Sequence, residues 1–374
     1  MNKSVDKNSG TAAKAHAAID PVSRKVHNAW LDWLRFFAAL EVVLTHARTI
    51  LFVEYAQLEP QSQTIAVAAW AAMTRLGYEA VIIFFVLSGF LVGGRALELA
   101  LSRRFSLTDY LIDRVVRIMV PLSGAVVLSV AVASWIGVSL EPAEVVGNWL
   151  SLQGAFVDVL PINSPFWTLS YEVWFYVLGG AVAFMLSRRT FSFFAALVLA
   201  AAGIIFARLN ALYLLLWLGG AASSFYRPRR LSWLETMFGV ALLGGGVVTY
   251  QLSLPRTFAP EGNALGLVAG GALMLLALAL VLPNLRAARW NAGRLAQLGT
   301  FLASFSYSLY LIHVPILSAS PIKDLRIVSA GAVSVYIAAT AIVLIAAFAF
   351  SRCFETTGPK LKKWLRGGLR GPQS

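Results

Sequence analysis

Residues 31–52 read LDWLRFFAALEVVLTHARTILF, from Leu31 to Phe52. The stretch is apolar and long enough to cross the roughly 30 Å hydrocarbon core of a bilayer as a helix rising about 1.5 Å per residue. Yet it carries Asp32, Arg35, Glu41, His46 and Arg48. Charged and titratable groups are costly in hydrocarbon and are rare on spans that do not use them. Such a helix points to a membrane protein with a polar interior.

The rest of the chain agrees. Of 374 residues, 58% are hydrophobic and only 13% charged, and the mean hydropathy is +0.72. A soluble domain lies nearer half apolar and a quarter charged. The expected fold is an all-α, polytopic transmembrane helical bundle. About ten apolar runs reach spanning length, near 31–53, 78–95, 115–138, 167–186, 191–208, 210–226, 233–252, 263–283, 299–319 and 327–351. The run 64–75 is too short to span; it lies along the interface or extends the second span. Residues 1–28 read as a flexible cytoplasmic tail with no apolar h-region, so no cleaved signal peptide is expected. Residues 29–355 form the transmembrane domain, and 356–374 a basic cytoplasmic tail. No internal repeat and no second domain are expected.

The net charge of +13 raises nucleic acid as a partner. However, the basic residues sit mostly between apolar runs, so membrane lipids are the expected partner and nucleic acid is not. With the N-terminus in the cytoplasm, about 24 of the 31 Lys and Arg fall on the inside. The outside holds Arg48, Arg75, Arg208, Arg256, Lys323 and Arg326, and Arg35 lies within a span. That asymmetry is the positive-inside pattern and places both termini in the cytoplasm. Segment 139–166, on the outside, has no Lys or Arg. The single cysteine, Cys353, excludes an intrachain disulfide and a cysteine metal cluster. No metal site is expected.

Arg35 and His46 are eleven residues apart, which returns to within about 20° of the same helix face and separates them by about 16 Å along the axis. Arg35 lies near the cytoplasmic mouth and His46 about two-thirds of the way across. By the same rise, His313 and Glu172 fall at the depth of His46, about 20 Å from the inner face. Three titratable groups in one layer suggest a shared polar cavity. Neutral imidazole is the natural general base near neutral pH, and a carboxylate beside it fixes its tautomer. His46 with Glu172 is therefore a candidate pair for taking a proton from a hydroxyl. The structural alternatives are that the two neutralise each other, that Glu172 is the structural partner of a buried Arg or His, and that His313 only bonds a neighbouring helix.

Arg103, Arg104, Arg114 and Arg117 form a basic cluster between the second and third spans. Arg114 and Arg117, at i and i+3, share a face, and guanidinium groups suit phosphates. The alternative is an ordinary topogenic role against lipid headgroups. In FFVLSGFLVGG, Phe84 to Gly94, the glycines permit close approach of a helix or a ligand, and Ser88 can donate into the cavity.

These motifs, in order, resemble the membrane acyltransferase-3 family. LDWLRFFAALEVVLTHA resembles its first-helix pattern of a basic residue, ten residues and a histidine, here Arg35 and His46. FFVLSGFLV resembles its second-helix motif, and DRVVRIMVP its Arg-x-x-Arg motif. FWTLSYEVWFYV and SFSYSLYLIHVPIL resemble its Trp-Ser-Leu-Ser-x-Glu and Ser-Tyr-Ser-x-Tyr-Leu-x-His blocks. The likeness runs from about residue 30 to 355. It implies a bacterial inner-membrane enzyme that moves an acyl group, commonly acetyl, from cytoplasmic acyl-coenzyme A to a sugar hydroxyl of a glycan or glycolipid. No bound cofactor is implied; the acyl-coenzyme A is a substrate. His46 would be the catalytic base or a transient acyl carrier, with Glu172 in the catalytic constellation. Arg35, Arg114 and Arg117 would meet the donor's phosphates. Ser88, Trp167, Ser170, Tyr307 and His313 would line the cavity on the acceptor side. The sequence departs from the family at Asp113, where a basic residue is common, at Pro121, one residue late, and at Thr168, where serine is usual. No appended soluble domain is expected. The rival classes are a proton-coupled transporter or flippase and a non-catalytic membrane scaffold.

Overall fold

The computed structural model describes residues 28–189, 192–254, 263–288 and 290–370. The expectations for the N-terminal tail and for Arg256 fall outside them. Fifteen α-helices follow one another. The first seven are α1 (Ala29–Leu51), α2 (Ile65–Met73), α3 (Gly77–Ser88), α4 (Gly94–Leu101), α5 (Leu107–Trp135), α6 (Pro142–Trp149) and α7 (Trp167–Arg188). Then come α8 (Phe193–Arg208), α9 (Ala211–Ser223), α10 (Trp233–Ser253), α11 (Ala264–Ala287), α12 (Arg294–Ala303), α13 (Ser306–Ser318), α14 (Ala330–Phe354) and α15 (Gly358–Arg370). A π-helical segment, Gly89–Gly93, joins α3 to α4. Starts are set by polar caps: Asn28, Ser106, Ser192 and Ser329 each accept a first-turn N–H of α1, α5, α8 and α14.

The chain is an all-α polytopic bundle. Among the described residues, six helices are long and apolar enough to cross a membrane, and seven if the bent pair α12–α13 is one span. Every apolar run expected to span lands on a helix, but three helices lie outside that count. α1 is long enough at 23 residues and is set apart by its charges. α8 and α9, at 16 and 13 residues, reach only about 24 and 20 Å. The break between them is made at Asn210, whose side chain caps α9. The short run 64–75 forms α2 and extends the second span, which runs from Ile65 to Leu101.

Two hydrophobic cores meet inside the bundle. One is built from α3, α7, α9 and α11, and the other from α1, α5, α13 and α14. Phe84, Met119 and Tyr307 pack against both, so they mark the seam. The first core is tight because α3 and α9 cross backbone to backbone. A Cβ on Gly89 would lie 2.0 Å from the Trp217 carbonyl oxygen, and one on Gly220 would lie 2.2 Å from that of Val86. The glycines thus serve helix packing. The C-terminal tail folds as α15 and docks on α5: Lys362 pairs with Asp113 at 2.8 Å and Arg366 with Asp109 at 2.8 Å. Asp113, the acid at a position where a basic residue was expected, holds this helix.

Candidate active site

α1 carries His46 to the seam, and α13 brings His313 against it. The His313 Nε2 and His46 Nδ1 atoms are 3.2 Å apart. His313 Nδ1 faces two carbonyl oxygens, Tyr310 at 2.8 Å and Leu309 at 3.2 Å. Carbonyls only accept, so this nitrogen carries the proton and a neutral His313 leaves Nε2 bare. His46 Nδ1 lies 2.8 Å from the Val42 carbonyl, so it too carries its proton and shares it with Val42 and His313. The remaining nitrogen of a neutral His46, Nε2, is then an unprotonated lone pair. Proton placement follows here from the acceptors around each ring. His313 is fully buried and His46 half-buried, so the inner ring orients the outer one.

Glu172 stands elsewhere. The expected His46–Glu172 contact is replaced by a bond within α7: the Tyr176 hydroxyl, one turn on, donates to Glu172 Oε1 at 3.0 Å. With that proton committed, Ser88 Oγ donates to the Tyr176 oxygen at 3.1 Å. The Trp217 indole N–H in turn donates to Ser88 Oγ at 3.3 Å. The relay Trp217–Ser88–Tyr176 delivers every proton toward the carboxylate, and each bond polarises the next. Equal depth along separate helices is not contact, because rotation about each axis decides which neighbour a side chain meets.

The carboxylate instead joins the arginines. Glu172 is within electrostatic reach of Arg117, Arg114 and Arg35. Arg114 lies over the rings of Tyr176 and Tyr110, at 5.5 and 6.0 Å. Its Nε and Nη1 are buried without a hydrogen-bond partner, as is the Tyr307 hydroxyl. Buried donors of this kind are rare, since each costs about 1–3 kcal/mol when unsatisfied. Arg35 sits 3.8 Å from Asp32 and keeps a quarter of its side chain exposed. Arg117 is exposed, Tyr176 is buried, and Tyr307 and Glu172 are half-buried. Arg35 and Arg117 therefore reach solvent beside the unsatisfied donors of Arg114.

Other expected residues do different work. Trp167 packs on Tyr78, Phe85, Tyr171 and Tyr213. Ser170 is fully buried and donates to the Trp167 carbonyl in its own helix at 2.9 Å, so it offers no proton to a ligand. Arg103 and Arg104 are exposed just after α4. Thr168 pairs with the Tyr310 hydroxyl at 2.7 Å, a bond that serine could also make.

Sequence reasoning missed Tyr176 and Glu355. Tyr176 was open to discovery as the i+4 neighbour of Glu172. Glu355 ends the last long helix. Its carboxylate accepts from the Ser308 N–H at 3.1 Å and from the Ser308 hydroxyl, and it lies within electrostatic reach of Arg117 and Arg35. Its only sequence signal was an acid just past an apolar run.

An imidazole with one bare nitrogen can accept a proton from a hydroxyl. A guanidinium cluster can hold phosphate esters. Neither the curated proteins nor the solved structures compared with this chain include a match. The family model described as an acyltransferase domain matches residues 28–352, which contain Arg35, His46, Arg114, Arg117, Glu172 and His313. The chain accordingly belongs to the acyltransferase-3 family, as its motifs and their order led one to expect.

Proposed function

We propose that this acyltransferase moves an acyl group, commonly acetyl, from cytoplasmic acyl-coenzyme A to a sugar hydroxyl of an exported glycan or glycolipid, in the inner membrane of a bacterium. The observation that carries the reading lies on one helix. α1 presents Arg35 near Arg114 and Arg117 and, about 16 Å further along, a base whose tautomer is set by the Val42 carbonyl and His313. The donor's phosphates sit among Arg35, Arg114 and Arg117, where Arg114 and Tyr307 hold unused donors. The extended pantetheine arm carries the thioester toward His46.

His46 Nε2 takes the proton of the acceptor hydroxyl as its oxygen attacks the thioester carbonyl carbon. The new C–O bond forms, the C–S bond breaks, and the thiolate leaves. The imidazolium returns its proton to the sulfur, so the products are the ester and free coenzyme A. During this cycle the bare His313 Nε2 accepts from His46 Nδ1–H and steadies the charged ring, as a carboxylate does in a hydrolase triad. Glu172, held by Tyr176, keeps the arginines in place rather than serving as the base's partner.

The test uses purified protein in nanodiscs with radiolabelled acetyl-coenzyme A. Wild type should bind and consume the donor. Arg35→Ala should lose binding, and His46→Ala should bind without turnover. The reading fails if wild type shows no saturable binding and cells carrying His46→Ala still make fully acylated glycans. A proton-coupled carrier would then be the better account of the buried polar groups.

A further inference from the structure

Helix α13 carries a defect just past its histidine. Pro315 lies inside the helix and has no backbone N–H, so the α-helical bond that the Leu311 carbonyl would accept cannot form. Inside a membrane bundle no water is at hand to fill such a gap, and a neighbouring group has to. Asn163 does so: its Nδ2 donates to the Leu311 carbonyl at 2.9 Å.

Asn163 sits in the short 3-10 helix Pro161–Phe166 that leads into α7, and it is fully buried. Its Nδ2 also donates to Ser129 Oγ on α5 at 3.1 Å. The Ser129 proton is itself committed to the Ala125 carbonyl at 2.8 Å, so Ser129 accepts from Asn163. Both groups that face the amide nitrogen are thus acceptors, which fixes the nitrogen toward them and excludes a flipped amide. The Oδ1 atom is buried without a hydrogen-bond partner, so the nitrogen alone gives the side-chain amide its hold.

His313 belongs to the turn that this bond secures. Its Nδ1 faces the carbonyls of Tyr310 and Leu309, the two residues before Leu311, and its Nε2 meets His46 Nδ1 at 3.2 Å. The same short helix holds the turn a second time, since the Tyr310 hydroxyl donates to the Pro165 carbonyl at 3.1 Å. The ring leans on the backbone of its own turn, so a shift of that backbone moves the ring with it.

We propose that Asn163 is a positioning residue for acyl transfer. It stands in for the N–H that Pro315 lacks, and so holds the turn of α13 where His313 Nε2 meets His46. Asn163 acts through His313 and touches no reacting atom. The proposal rests on the reading of His46 as the base, and it adds that the segment between α5 and α7 sets that base's orientation.

The experiment follows the consumption of radiolabelled acetyl-coenzyme A by the full-length protein in native membrane vesicles, with coenzyme A titration of the same protein in nanodiscs. Asn163→Leu keeps the approximate size of the side chain and removes the donor. It should lower the turnover number about fivefold, the scale of one net hydrogen bond, and leave donor KM and coenzyme A affinity as in wild type. Retained affinity also shows that the variant is folded. Two backgrounds then separate positioning from packing. In His313→Asn, adding Asn163→Leu should change turnover by no more than about twofold, because both substitutions remove the same effect. In Pro315→Ala, which returns an N–H to the Leu311 carbonyl, Asn163→Leu should again lower turnover by no more than about twofold relative to its parent. That background also carries the test if Asn163→Leu alone does not fold, since the Leu311 carbonyl there keeps a donor. The proposal fails if Asn163→Leu leaves turnover unchanged, if its effect multiplies with that of His313→Asn, or if the loss in Pro315→Ala is as large as in wild type. If wild type binds no coenzyme A, or if His46→Ala turns over as wild type does, the reading of the base itself falls, an outcome distinct from the others.

Discussion

Helices α13 and α10 are both apolar membrane helices, and they do opposite things. Ten of the thirteen residues of α13 are buried, His313 and two serines among them. α10 buries four of its twenty-one: Gly239, Gly246, Tyr250 and Ser253. α13 lies between α1, α5 and α14 at the seam of the two cores. α10 packs mainly on α11 and leaves Phe238, Val240 and Val248 exposed. Lipid is as good an apolar solvent as another helix, so α10 can be uniform and loosely specified. α13 must satisfy every polar group it brings inside, because water is absent and an unpaired group is costly. Polar side chains that survive in such a helix are those the protein uses.

Substitutions can break that contrast. The largest effect is expected at His46. His46→Ala should cut acyl transfer about a thousandfold, the scale of a lost general base, with coenzyme A affinity kept. Radiolabel transfer and titration calorimetry on one preparation separate the two. A matching loss of binding would move His46 out of the chemistry and into the donor site.

Arg114→Met comes next. Hydrogen bonds to charged groups are worth about 1.5–3 kcal/mol, so donor affinity should fall between roughly ten- and a hundredfold. Thermal stability should hold or rise, because the change removes buried guanidinium donors that nothing satisfies. A large drop in melting temperature with donor affinity intact would make Arg114 a structural residue.

His313→Asn should lower the turnover number about tenfold, less than the hundredfold or more of direct acid–base catalysis because His313 acts through His46, and leave donor KM unchanged. Asparagine removes the ring acceptor that steadies His46 but keeps a small polar side chain. A change in KM alone would contradict a positioning role. The smallest effect belongs to the lipid side: Val240→Ala on α10, where Val240 is 60% exposed, should change stability by no more than about 0.5 kcal/mol and leave transfer untouched. A strong effect there would show that α10 is covered by a partner.

The first-helix reading carried much of this. Arg35 and His46 on one face were visible from the 3.6-residue period, and both do face the interior. Arg114 and Arg117 at i and i+3 were visible in the same way. Glu172 was placed at a plausible depth and read either beside His46 or as the partner of a buried Arg or His; its hydrogen bond goes to Tyr176 and the arginines lie within electrostatic reach. The rise per residue gives depth, but the sequence of one helix does not say which helix it will face. His313 was read as one group in a shared layer, and its role as the acceptor for His46 appeared only when α1 and α13 met. Trp167 and Ser170 carry motif resemblance, yet one packs in an aromatic cluster and the other bonds its own backbone. Glu355 had no periodic or motif signal at all.

By itself, then, the sequence determined that this is an all-α membrane protein resembling the acyltransferase-3 family, with an imidazole on its first helix. Hydropathy, charge asymmetry and helical period are local along the chain, so they survive without a fold. Only the tertiary structure decided that His46 is oriented by a second imidazole and that Glu172 bonds Tyr176 within reach of the arginines. Apart from the Glu172–Tyr176 bond, those interactions join residues tens to hundreds of positions apart. They depend on how two helices rotate and cross, which the packing of the whole bundle sets.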